Sequence, residues 1–252
     1  MARGTTQAWI LAAAVALVAA PAQADVLRFA VGAAAWDAEP DGDFQVEDNS
    51  RIDVEDDLGM GSETTGFVWA RLEHPVPILP NIKVRYTPLD IEGDETLSRE
   101  ITFDDRTFAV RENVDSTLDM DMLDTALYYE VLDNIVSLDL GLNVKLVDGN
   151  ATLRSTSTGE DRVDFTAPLP LLYAAVAAEL PLTGLSAEAE ISGLAYSDSK
   201  AFDALARLRY TFFFGLGLEV GYRTLVVDVD EVDDVDVDVD ISGFFAGAHF
   251  DF

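Results

Sequence analysis

The stretch Ile135–Val147, IVSLDLGLNVKLV, alternates without a break. Val136, Leu138, Leu140, Leu142, Val144 and Leu146 share one side, and Ser137, Asp139, Gly141, Asn143 and Lys145 share the other. Period two places successive side chains on opposite faces of a β-strand and leaves no helical reading. The pattern recurs about ten times along the chain. Strands are expected near 25–36, 64–74, 81–91, 117–131, 135–148, 169–180, 185–196, 201–212, 215–228 and 236–252.

The connectors decide what kind of sheet this is. Short ones rich in turn residues fall at His74–Pro80, Leu132–Asn134, Pro181–Gly184 and Phe213–Phe214. Long polar ones lie between them, at Asp37–Glu63, Glu92–Ser116 and Gly149–Pro168, with Ser197–Lys200 a short exception. Short turns at one end, long loops at the other and an even strand count are the plan of an all-β, closed, antiparallel, up-and-down transmembrane barrel, here of about ten strands, with eight as the smaller alternative. Strands of ~9–11 residues cross a bilayer when tilted. Closure is obligatory in lipid, because an open edge would leave unpaired N–H and C=O groups in hydrocarbon. A soluble sandwich would also alternate, but it would leave the membrane without detergent.

The first 24 residues read as an export signal followed by one barrel domain over 25–252. Arg3 supplies the positive start, Ile10–Ala20 is an apolar run too short to span as a helix, and Ala22-Gln23-Ala24 is a small-x-small cleavage pattern. The expected location is the outer membrane, reached through the general secretory pathway. The chain carries 16 Lys+Arg against 47 Asp+Glu, a formal charge of −31. That balance argues against nucleic acid as a partner, since phosphates need cationic surface. Extreme acidity usually means disorder; here 49% of residues are hydrophobic and the acids are interleaved with Val, Leu and Phe. With no cysteine in the chain, neither a disulfide framework nor a lipid-modified N-terminal cysteine is available.

Strand parity sorts the charges. Arg28, Arg71, Lys83, Arg85, Lys145, Arg207, Arg209 and Arg223 are expected in the lumen, with Glu73, Glu130, Asp139, Glu179, Glu188, Glu190 and Glu219. Buried charges need partners, so a salt-bridged, filled lumen is expected. A narrow polar pore built on the same residues is the alternative. Phe250 and Phe252 share a face with Phe244, Ala246 and Ala248, and form the terminal aromatic signature that the barrel-assembly machinery would read. Val235, Val237 and Val239 have the opposite parity, and a bulge near Ser242-Gly243 would reconcile the two registers.

Val227–Asp240 is expected as an extracellular hairpin with Glu231–Asp234 at its tip. It carries Asp228, Asp230, Asp233, Asp234, Asp236, Asp238 and Asp240. Oxygen clusters suit Ca²⁺ or Mg²⁺. An EF-hand loop fails, because from Asp228 the sixth position is Asp233 and the twelfth is Val239. The open readings are a solvated acidic face, diffuse divalent binding that could bridge to lipopolysaccharide phosphates, or a specific site. Beyond that diffuse binding no cofactor is expected. The two histidines, His74 and His249, both fall at the periplasmic rim. A Ser/His/Asp set cannot be assembled at the outer end without one, and Asp is too abundant for any acid pair to stand out.

Four segments carry a resemblance: ADVLRFAVGAAAW (24–36), YTPLDIEG (86–93), LDTALYYEVLDNIVSLDLGLNVKLVDG (123–149) and VDDVDVDVDISGFFAGAHFDF (232–252). The chain resembles a family of uncharacterised Gram-negative outer-membrane β-barrel proteins over nearly all of its length after the signal. The resemblance implies fold and location and no activity. The functional expectation is a non-enzymatic, monomeric outer-membrane protein with a structural or surface-interaction role. It would contact outer-membrane lipid and lipopolysaccharide. A small-solute or lipophilic-molecule transporter is the second reading, and a lipid-active barrel enzyme the third.

Overall fold

Alternation closes this sheet on itself. The computed structural model describes residues 27–46, 49–104, 106–197, 199–232 and 235–252. The expected signal peptide lies outside these residues. Ten strands form the barrel: β1 (Arg28–Val46), β2 (Glu63–Glu73), β3 (Asn81–Thr96), β4 (Asn113–Asp133), β5 (Val136–Ser155), β6 (Gly159–Leu180), β7 (Leu185–Tyr196), β8 (Ser199–Thr211), β9 (Leu216–Val232) and β10 (Val235–Asp251). Each pairs antiparallel with its sequence neighbour, and β10 pairs with β1 from Ala30↔Asp251 to Val46↔Val235. The ring therefore has no free edge. Ten strands, not eight, close it.

Several strands run well past their expected ends. The stretch Gly149–Pro168 is a correction: β5 and β6 stay paired from Val136↔Ala178 to Ser155↔Gly159, so it is a continuous hairpin and not a long loop. Backbone pairing there needs only the alternation of Thr, Val and Phe with polar residues, which the sequence supplies. The true long loops are 47–62 and 97–112.

The outward face carries a sharp apolar band. On β5 it runs from Val136 to Leu146, and Leu142 is 62% exposed. Ten residue steps at about 3.4 Å, tilted by about 40°, give roughly 26 Å of height, close to the band expected of a membrane barrel. Above it the same face turns acidic: Asp37 and Glu39 follow Ala35 on β1, Asp90 follows Pro88 on β3, Asp121 precedes Leu123 on β4, and Asp148 follows Leu146 on β5.

The inward face inverts at the same level. Below, it is polar and charged. Above, it is apolar: Leu89 and Ile91 on β3, Met122 and Val114 on β4, Leu153 on β5 and Ile241 on β10 are all buried. The two long loops fold into this mouth and add Ile52, Leu58, Leu97, Ile101, Phe103 and Phe108, each no more than 1% exposed. Within the second loop, Ile101–Phe103 and Arg106–Phe108 make a small hairpin of their own. Ser50 Oγ accepts from Thr102 N at 3.1 Å, and Ser116 Oγ donates to Leu58 O at 2.7 Å, so both loops are tied down. Each fully buried Ile or Phe adds roughly 1.5–3 kcal/mol, and the plug packs as one continuous core with the barrel's inner wall, including Trp36, Phe67 and Phe245.

This inversion replaces the expected bulge at Ser242-Gly243. The β9–β10 register is continuous from Leu216↔Phe250 to Val229↔Val237, and shifts only between Val229 and Val232 near the tip. Val237 and Val239 point inward to the apolar plug, whereas Ala246 and Phe244 point outward to the band. The strand keeps its register; its surroundings change sides. At Gly32 the wall needs glycine for space: a Cβ there would sit 2.4 Å from the Trp69 ring, which lies across β1 inside the barrel.

Candidate functional site

Charged side chains from strands all round the barrel converge in the lumen beneath the plug. Parity brings them there: odd positions point inward on β2, β3, β5, β6, β8, β9 and β10, and even ones on β1, β4 and β7. Two networks stack along the barrel axis.

The upper network centres on Asp203 and Asp124. Asp203 Oδ2 receives Arg223 Nη2 at 2.7 Å, Arg85 Nη2 at 2.8 Å and Lys145 Nζ at 2.8 Å, and Arg223 Nε donates to Oδ1 at 3.1 Å. Asp124 takes Lys145 Nζ at 2.8 Å and Asn143 Nδ2 at 2.7 Å. Arg223 also donates to Thr87 Oγ1 at 2.9 Å, and its guanidinium lies 4.7 Å from the centre of the Trp36 ring. That stacking is the contact between the charged lumen and the apolar plug.

The lower network centres on Arg207. Its Nε and Nη2 grip Glu188 at 3.1 and 2.8 Å, Nη2 reaches Glu190 at 3.0 Å, and Nη1 reaches Glu219 at 3.3 Å. Lys83 bonds Glu190 and lies 3.5 Å from Glu188. Trp69 donates Nε1–H to Glu219 at 3.0 Å, and the Arg207 guanidinium lies 4.8 Å from its ring centre. Toward the turn end Arg209 pairs with Asp251 at 3.1 Å. At the turn-end rim, Arg28 joins Glu73 at 3.1 Å and Glu130 at 2.9 Å, and Arg71 joins Glu73 at 3.4 Å. Asp139 is buried on the same level, and Glu179 is exposed at the rim.

The consequence is a lumen closed at mid-height. A water-filled channel would leave its lining accessible to solvent. Arg223, Lys145, Asp203 and Arg207 are instead between 0% and 3% exposed. Between the two networks, Lys83, Arg85, Asn143, Tyr173 and Ser192 enclose a cavity of about 10 Å³, the room of a single water.

Sequence parity did not bring out Asp203 and Asp124, the two acids that hold the upper network. Asp124 follows Asp119 and Asp121, which point outward; only the polarity inversion on β4 separates them. Asp203 stood in a strand read for its arginines alone.

The acidic wall is a different surface. Asp41 stands opposite Asp240, and Asp238 stands between Asp43 and Asp228 across three strands. Lys200 pairs with Asp228 at 2.6 Å, and Arg51 pairs with Asp43. The carboxyl of Asp240 is held above the usual range by partial burial and then by Asp238 and Asp41. Asp236 shares this face; Asp233 and Asp234 lie outside the described residues, as does the side chain of Asp230. Among the described residues no three His, Asp or Glu side chains are grouped so as to hold a metal ion.

Among the described residues neither histidine has the nucleophile–histidine–acid geometry of a hydrolase triad. His74 Nε2 lies 3.1 Å from Pro80 O, inside a turn. His249 Nε2 lies 3.0 Å from Thr211 Oγ1 and 3.6 Å from Asp251 Oδ2. In a hydrolase triad the acid holds the nitrogen remote from the nucleophile; here hydroxyl and carboxylate share the same one.

No protein-family model and no curated protein sequence matches the chain, so its resemblance to a sequence family finds no support there. Solved structures do match. The outer membrane protease OmpT from Escherichia coli superposes with a TM-score of 0.60 at 9% identity, over 89% of this chain and 97% of that one. The translocator domain of the autotransporter NalP from Neisseria meningitidis gives 0.47 at 11% identity, over 90% and 89%. The attachment invasion locus protein Ail of Yersinia pestis gives 0.39 at 10% identity, over 90% and 99%. The likeness to OmpT shows the fold, that of outer-membrane β-barrels.

Proposed function

We propose that this protein is an integral outer-membrane barrel that carries no enzymatic chemistry and no solute. It serves as a closed wall element whose acidic outer surface stands above the membrane and meets its surroundings. The observation that carries this reading is the double closure of the lumen, by the Asp203 and Arg207 networks and by the loop plug above them. The apolar band of roughly bilayer height supports the membrane location, as does the barrel fold itself. With this orientation the turns lie at the inner-leaflet side of the membrane and the plugged mouth faces outward.

The acidic wall then lies at and beyond the outer-leaflet headgroups. Repulsion among its carboxylates is relieved by mobile Ca²⁺ or Mg²⁺, which also bridges them to lipopolysaccharide phosphates. Phe250 and Phe252 serve the assembly machinery as the terminal signal. Phe252 packs 5.2 Å from Phe29 on β1 and 4.4 Å from Phe250, at the strand pair that closes the barrel. The protein acts as a monomer, reached by export behind a signal peptide. The protease activity in OmpT's name is not part of this reading, since the two chains share the fold at 9% identity. Washing envelopes at high pH tests the location: the protein stays with the membrane and needs detergent to leave it. Release into buffer would overturn the reading.

A further inference from the structure

Each of the four short turns exposes large apolar side chains to its surroundings, and β4–β5 sets the polar residues Asp133 and Asn134 beside them. Ile78 is 82% exposed and Leu79 56%, in the β2–β3 turn; Ile135 is 65% exposed in the β4–β5 turn; Leu182 is 107% exposed in the β6–β7 turn; Phe213 and Phe214 are 89% and 93% exposed in the β8–β9 turn. Leu182 and Phe214 take left-handed backbone angles, φ 69° and 72°, which favour glycine or asparagine. The chain places large apolar side chains at strained tips and keeps glycine for the positions that follow, Gly184 and Gly215.

A second feature is independent of the first. The turns pair much of their backbone within themselves. His74 Nδ1 accepts from Val76 N at 3.3 Å, Asn81 Oδ1 accepts from His74 N at 3.0 Å, and Tyr129 OH donates to Ile78 O at 3.0 Å. Thr183 Oγ1 donates to Leu180 O at 2.8 Å and accepts from Leu185 N at 3.1 Å. Phe212 N donates to Leu216 O at 2.7 Å, and Thr211 N to Gly184 O at 2.8 Å. Backbone turned toward water does not need such partners; backbone that enters lipid does.

We infer that the turn end is an apolar collar that seats in the inner leaflet of the membrane, so that the turns lie in phospholipid and not in the periplasm. This deepens the membrane reading above and rests on it. The occupant is lipid because the collar continues the apolar band without a polar break at Leu180–Leu182 and Tyr210–Phe214, and because all four turns carry it. A protein partner would cover one side; a leaflet meets the whole circumference. Apolar side chains at the end of the barrel then fix its depth.

The chain has no cysteine, so single-cysteine spin labels test this cleanly in full-length protein reconstituted in phosphatidylethanolamine–phosphatidylglycerol vesicles. Labels at Ile78→Cys, Leu182→Cys and Phe214→Cys are compared with Leu142→Cys in the apolar band and Asp164→Cys at the loop end. Collision with oxygen marks lipid, and collision with a water-soluble nickel complex marks solvent. The turn labels are expected to give an oxygen-to-nickel ratio severalfold above that at Asp164 and close to that at Leu142. If they match Asp164 while Leu142 reports lipid, the collar is overturned and the membrane reading stands. If Leu142 also reports water, the membrane reading itself has failed. Shielding of the turn labels from both reagents would assign the collar to protein contact and overturn the proposal.

Discussion

Arg223 grips Asp203 through two nitrogens, Nη2 to Oδ2 at 2.7 Å and Nε to Oδ1 at 3.1 Å, and both side chains are fully buried. The pair sits at the level where the barrel changes from a membrane protein to something like a soluble one. Above Arg223 are Trp36 and Phe67; beside it are Arg85 and Lys145, which share its carboxylate. Removing one partner of a buried pair leaves charge without compensation and costs about 3–5 kcal/mol. Asp203→Asn should therefore lower stability by that order, measured by urea unfolding in detergent and followed by loss of β-sheet circular dichroism. Replacing Asp203, Arg223 and Lys145 together by apolar residues of similar size should recover most of the loss. An Asp203→Asn variant as stable as the parent would mean the network is decorative.

Gly32 and Trp69 are matched in the same way. A methyl group at position 32 would meet the indole at 2.4 Å, so Gly32→Ala must push the ring away from Glu219 and Arg207. Overpacking of this kind costs about 1–3 kcal/mol. The expected signature is twofold: lower stability, and a shift of tryptophan emission as the indole loses its hydrogen bond. Unchanged emission would contradict the packing described.

Much of this was legible in the sequence, and what was not has one physical cause. Alternation in β5 gave the strand and its faces through the apolar band, but not its extension to Ser155. Parity placed Arg85, Lys145, Arg207 and Glu188 inside. The failure came wherever a strand passes the membrane edge. There the inside changes from charged to apolar while the outside changes from apolar to acidic, as at Met122–Asp124 and at Asp240–Phe244. Along a single chain this double change is indistinguishable from a one-residue slip, hence the expected bulge at Ser242-Gly243 and the overlooked Asp124. Only the pairing of neighbouring strands separates the two cases.

Glu112 makes the plug sensitive to acid. It accepts from Ser155 Oγ, from Ser157 Oγ at 2.5 Å, from Thr158 N at 3.1 Å and from Ala109 N at 2.8 Å. These donors hold its carboxyl down at about 2. A depressed carboxyl stabilises the fold above the ordinary glutamate range, about 4.3, and that contribution is lost as pH falls toward 2. Asp90 and Asp240 act oppositely: burial and neighbouring acids raise both, so their cost is present at neutral pH and fades as they protonate. Melting temperature should thus rise slightly as pH drops toward the carboxylate range and then fall. Glu112→Gln should flatten the falling limb, and an unchanged limb would contradict the assignment.

The acidic wall should respond to salt. Like charges directly opposite on neighbouring strands cost about 0.2–1 kcal/mol, and Asp240 faces Asp41. Asp240→Asn should stabilise the protein by that amount at low ionic strength, with the gain vanishing near 1 M salt, where the screening length is about 3 Å. Calcium should stabilise without a saturable stoichiometry in calorimetry. A one-to-one isotherm would instead assign a discrete site.

Electrical recording reaches the central claim, closure of the lumen, most directly. Purified protein inserted in planar lipid bilayers, at 1 M salt and with voltage of either sign, should produce no steady conductance steps. Stable openings of porin size, seen reproducibly with each insertion, would contradict it.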